Sequence, residues 1–196
     1  MFGDVLVTDS SITGETSRGA NAGTVEVLAT SGAVSITDSG SISSSSAGDG
    51  NAGTVKVTAD TITVNSMSTI ASETTGSADN TASAGDVEVT GQESVVVSDQ
   101  GSISISSSTN GAVAGNITVA SGDIQITNGR INSDTTGPGP AGELLVDNAI
   151  VGTAERGSLL VSDGGQITSG TDGFGNPGTV TIETVSYTHL TLPTKA

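Results

Sequence analysis

Apolar residues along this chain fall in pairs separated by one polar residue, and the pairs return at a nearly constant interval. Val25/Val27, Val55/Val57, Val87/Val89, Ile117/Val119, Leu144/Val146 and Val180/Ile182 each stand two and four places after a glycine. Period-two alternation is the pattern of a strand with one buried face. A second pair follows in each complete unit: Val34/Ile36, Ile62/Val64, Val95/Val97, Ile124/Ile126 and Leu159/Val161, with Val5/Val7 as counterpart in the first. A third, shorter strand offers a single anchor, Ile12, Ile42, Ile70, Ile103, Ile131 or Ile167. No 3.6-residue pattern appears, so helix content is expected to be close to none.

The glycines that open the units are Gly23, Gly53, Gly85, Gly115, Gly142 and Gly178, spaced 30, 32, 30, 27 and 36 residues apart. Self-similarity at such a period is the mark of a stacked repeat. The predicted fold is all-β, a parallel β-helix of about six coils with three short strands each, a glycine corner, and Gly/Ser-rich loops. Each strand pairs with its equivalent one coil away, about 4.8 Å along the axis. One coil cannot offset its own backbone entropy, about 1–2 kcal/mol per ordered residue; stacking makes the sum favourable. Unpaired strand edges at open coil ends lead us to expect that the isolated segment associates.

Length varies in two places. From the third-strand anchor to the next corner glycine there are 11 residues in four units, 12 before Gly115 and 15 before Gly85. The second place is the segment 147–158, twelve residues where other units have four to six. It reads as a tolerated surface loop, with binding surface as the functional alternative.

Composition narrows the functional classes. The chain has 196 residues, 28 of them Gly, 2% aromatics and a net charge of −16. Such acidity also suits disorder, but the regular Val and Ile columns argue against it. With Arg18, Arg130, Arg156, Lys56 and Lys195 as the only scattered cations, no nucleic-acid partner is expected. There is no Cys, hence no disulfide and no thiolate metal site. No apolar run reaches the roughly 18 residues of a transmembrane helix, and no membrane insertion is expected. Met1-Phe2-Gly3 leads straight into repeat sequence, so either the chain stays inside the cell or, the reading favoured here, residues 1–184 are an interior segment of a longer protein whose export signal lies upstream.

One column looks chemical: Asp9, Asp38, Ser66, Asp99, Asn128 and Asp163, just after the second strand. Stacked carboxylates can hold Ca²⁺, which takes six to eight oxygens. Ser66 and Asn128 interrupt the carboxylates, however, and all six side chains share the ability to bond the backbone at a turn. They are therefore expected to be corner formers, with no metal ligands assigned. The Gly/Asp-rich stretches 48–51 and 172–176 lack the nonapeptide of a calcium β-roll. Glu26, Lys56 and Glu88 should stack with alternating sign and help fix register. Outward Thr24/Glu26, Thr54/Lys56, Asp86/Glu88 and Asn116/Thr118 are too mixed for a flat ice-binding Thr face. Without its last twelve residues the chain has no His, and Phe2 and Phe174 are its only aromatics. No catalytic residue, cofactor site or metal site is assigned, and the chain is read as not an enzyme; a fragment of a β-helix polysaccharide lyase or hydrolase is the catalytic alternative.

The repeat resembles the haemagglutination-activity repeats of filamentous haemagglutinin-like exoproteins. The residues carrying the resemblance are N-A-G-T-V-x-V at 21–27 and 51–57, A-G-N-I-T-V at 114–119, the V-x-D-x-G-x-I turn at 97–103 and the V-x-D-x-G-x-I-x-S turn at 161–169. It covers residues 1–184. It implies a right-handed parallel β-helix within a large bacterial surface adhesin, exported by two-partner secretion through an outer-membrane pore. The implied location is the secreted, outer-membrane-associated cell surface. Implied partners are host or neighbouring-cell surface glycans or proteins, met by a distal region or through the 147–158 insert and loops. The family's N-terminal secretion domain is not visible here, and the units are longer than in some members. Residues 185–196, with the only Tyr (Tyr187) and only His (His189), break the repeat and resemble a translated adaptor or cloning remnant, read as a non-native or disordered tail.

Overall fold

A computed structural model describes residues 3–76, 81–108, 112–149 and 157–184. The tail 185–196 and residues 150–156 of the insert lie outside them. Every described element is a strand. In order they are β1 (Val5–Thr8), β2 (Ser11–Thr16), β3 (Val25–Thr37), β4 (Ser41–Ser46), β5 (Val55–Val64), β6 (Thr69–Thr74), β7 (Val87–Ser98), β8 (Ser102–Ser107), β9 (Ile117–Thr127), β10 (Arg130–Thr135), β11 (Leu144–Asp147), β12 (Leu159–Ser162), β13 (Gln166–Thr171) and β14 (Val180–Glu183).

All pairing is parallel, each strand with its equivalent one coil away. One sheet runs β1-β3-β5-β7-β9-β11-β14, with β12 also on β9, and the other runs β13-β10-β8-β6-β4-β2. The result is an all-β solenoid of about five turns, consistent with a right-handed parallel β-helix. The six corner glycines bound five full turns, with a partial one before Gly23. Below, coils are counted from that partial turn, so the fifth runs over 115–141 and the sixth over 142–177.

The first and second strands expected of each unit are one continuous strand in β3, β5, β7 and β9. Each is bent where the pairing slips, between Ala29 and Ala33, Ala59 and Thr61, and Gly91 and Ser94. Small residues face inward beside this bend: Ala29, Ala59, Gly91 and Ser121. The sixth coil shows what the bend tolerates. There β11 pairs with the first half of β9 and β12 with its second half, and the 147–158 insert enters between them.

The alternating columns form the interior. Val55, Val57, Ile62, Val64, Val87, Val89, Val95, Val97, Ile117, Val119 and Ile126 are fully buried and belong to one cluster with Ile42, Ile70, Ile103 and Ile131 from the second sheet. Burying each such side chain contributes about 1.5–3 kcal/mol. β-Branched side chains suit this pleated stack.

Candidate functional site

The corners are built by close approach. A Cβ placed on Gly53, Gly85, Gly115, Gly142 or Gly178 would overlap the carbonyl oxygen of the corner glycine one coil earlier. None of these glycines has a positive φ; glycine is needed because backbone sits directly on backbone.

Serines latch these corners, Ser44, Ser72 and Ser133 fully buried and Ser169 partly so. Ser44 Oγ donates to Gly23 O (2.9 Å) and accepts from Gly53 N (2.9 Å). Ser72 does the same between Gly53 O (3.0 Å) and Gly85 N (2.9 Å). Ser133 bridges Gly115 O (3.2 Å) and Gly142 N (3.1 Å), and Ser169 bridges Gly142 O (2.8 Å) and Gly178 N (3.2 Å). Each serine thus ties the glycine that opens its coil to the one that closes it. The closing glycine is 9 residues away in three coils and 13 in the third, so the latch holds across loops of different length. The fourth coil has fully buried Ile105 at this position, paired with Ser72 and Ser133, and the latch is interrupted there. The serine sits two residues past the third-strand anchor, where a polar residue at an inward position was the available sign.

On the outside, side chains cap the next coil. Asn51 N donates to Asn21 Oδ1 (3.0 Å), Ser83 N to Asn51 Oδ1 (2.8 Å), Asn116 N to Asp86 Oδ1 (2.7 Å) and Glu143 N to Asn116 Oδ1 (2.9 Å). Asp123 Oδ1 takes Ser158 N at 2.8 Å at the end of the insert.

The turn column has backbone chemistry in common. Asp9, Asp38, Ser66, Asp99, Asn128 and Asp163 all have φ between 46° and 53°. Asn and Asp tolerate this left-handed region better than most residues. Residues after four of them, Ser39, Met67, Gln100 and Gly164, also have positive φ. Gly40 N donates to Thr37 O (3.0 Å), Ser68 N to Asn65 O (3.0 Å), Gly101 N to Ser98 O (2.7 Å) and Gly165 N to Ser162 O (2.8 Å). Two positive φ values closed by that bond define a type I′ turn. The column forms corners, as its residue types suggested. Among the described residues there is no group of three or more His, Cys, Asp or Glu that could hold a metal ion.

Glu26, Lys56 and Glu88 fall in register, and Lys56 Nζ lies 3.3 Å from Glu88 Oε2 with both side chains nearly half exposed. Such a pair contributes about 0–1 kcal/mol. The base of the insert is pinned: Gly157 N donates to Asn148 O (2.9 Å), and Asn148 Nδ2 to Gly157 O (2.8 Å).

A concavity lies beside the fifth coil's turn. Three residues separate Ser98 from Ser102 in the fourth coil, and three separate Ser162 from Gln166 in the sixth. At the same register in the fifth coil, only two separate Thr127 from Arg130. The shorter turn leaves a notch of about 200 Å³ between its neighbours, lined by Gln100, Asn128, Gly129, Arg130, Gly164 and Gln166. The residues are scattered in sequence, and only the stacked register brings them together. Comparison with protein-family models, characterised proteins and solved structures finds no match.

Proposed function

We propose that this chain is a non-catalytic spacer segment of a secreted bacterial surface adhesin of the filamentous haemagglutinin-like kind. The observation that carries the reading is the stack itself: coil after coil repeats the same register, with Val/Ile columns, corner glycines and turn residues assigned to holding the next coil. The motifs at 21–27, 51–57, 97–103, 114–119 and 161–169 supply the adhesin half of the proposal. In this reading the rod crosses the outer membrane through a secretion pore and displays a binding region at the cell surface.

Removing one coil in frame from the parent protein tests it. A spacer shortened by one coil should still be exported, fold and support adhesion. Loss of adhesion with export and folding intact would favour direct binding by this segment. The pinned base of the 147–158 insert favours that second reading, in which the insert engages a glycan or matrix protein; deleting residues 149–156 should then abolish binding by the isolated chain.

A further inference from the structure

We propose that the notch at the fifth coil's shortened turn is a binding site for a single sugar residue bearing a carboxylate. It goes beyond the spacer reading and does not depend on it.

The notch is an exception with a definite cause. Asp9-Ser10 is the other two-residue turn, but it lies in the first coil; the fifth coil's turn has a three-residue turn on either side, so only there does a missing residue leave a gap with two walls. The walls are fixed by backbone bonds: Gln100 N donates to Asn128 O (2.6 Å), Arg130 N to Gly101 O (3.0 Å) and Gln166 N to Gly129 O (3.0 Å). The opening is therefore preformed, which lowers the ordering cost of binding.

The side chains facing it are chemically matched. Arg130 stands between Ser102 and Gln166 in the sheet register, is exposed, and has no carboxylate within ion-pair distance among the described residues, in a chain with 21 acidic residues. Lys56, by contrast, is already paired with Glu88. A guanidinium offers a planar fork for two carboxylate oxygens. Gln100, Asn128 and Gln166 add carboxamides that both donate and accept, as sugar hydroxyls require. No carboxylate lines the notch: Asp99 and Asp163 occupy the adjacent turns outside the lining. With no aromatic in the lining, affinity should be modest, with a dissociation constant in the millimolar range, and salt-sensitive.

Nuclear magnetic resonance titration of the full chain with sodium glucuronate tests the site, with glucose, sodium acetate and sodium sulfate as comparisons. Glucuronate should shift the amides of Gln100, Gly129, Arg130, Gly164 and Gln166 as one saturable set. Arg130→Gln and Arg130→Lys should each weaken it about tenfold, because charge without the fork is not enough. A glycine inserted between Asn128 and Gly129 should fill the notch and abolish the shifts although Arg130 is retained. Unchanged thermal unfolding verifies that the variants fold. No saturable shift with glucuronate overturns the proposal, as does acetate or sulfate binding equally well, which reduces the site to a surface cation. Equal binding of glucose overturns the carboxylate assignment. None of these failures bears on the spacer reading, which the coil deletion tests.

Discussion

The two sheets enclose the same interior but meet it with different chemistry. The inward side chains of β3, β5, β7 and β9 are almost all Val, Ile or Ala, and dispersion and burial hold that wall. Those of β4, β6 and β10 start with one Ile and continue with hydroxyls: Ser44 and Ser46, Ser72 and Thr74, Ser133 and Thr135. The difference follows from what lies opposite. Side chains of the first sheet face other side chains across the core, whereas the hydroxyls face the returning backbone near the corner glycines. A bare backbone presents N–H and C=O groups that must be satisfied when buried, and a hydroxyl does both at once. A parallel solenoid can thus be apolar along one wall and hydrogen-bonded along another without losing register.

Substitutions on either wall should separate these two mechanisms. On the apolar wall, Ile62→Ala removes a fully buried side chain with a coil on each side and should cost about 2–5 kcal/mol in urea unfolding. At the corner, Gly85→Ala drives a Cβ into Gly53's carbonyl and should cost about 1–3 kcal/mol, with Gly23→Ala much milder because nothing lies within 4 Å of that position. On the hydroxyl wall, Ser72→Ala strands Gly85 N–H and Gly53 C=O and should cost about 1–3 kcal/mol although it deletes a single oxygen. Equal tolerance of Ser72→Ala and an exposed Ser→Ala would remove the distinction between the walls. At the turns, Asp99→Gly should be neutral or stabilising while Asp99→Ala loses about 1 kcal/mol, since φ there is 48°. Lys56→Ala, which breaks the exposed ion pair, should change stability by less than about 1 kcal/mol and less still in high salt.

Legibility in the sequence divides along the same line. The apolar wall is readable because Val and Ile alternate with period two and recur at the corner-glycine spacing. The turn column is readable because Asp, Asn and Ser share one turn chemistry, and their positive φ agrees. The hydroxyl wall is not, since Ser44 and Ser72 lie in runs where nearly every neighbour is also small and polar, and hydropathy cannot tell an inward Ser from an outward one. For the same reason the third strand shows a single anchor in the sequence when it is six residues long. Two expected strands merge into one because a bend of a few residues in a paired strand resembles a loop when only its length is seen. The notch is hidden deeper still: it arises from one missing residue in one coil, visible only against the neighbours above and below.

Stacked corners also bear on how such a chain can change over generations. Each corner glycine from Gly53 onward rests on the one before it, so a cut at any two of these corners and a rejoining between them restores the same corner contacts with fewer or more coils. Unequal exchange within the gene would therefore lengthen or shorten the rod in steps of about 4.8 Å. A globular core, whose every element touches several others, has no comparable unit to gain or lose.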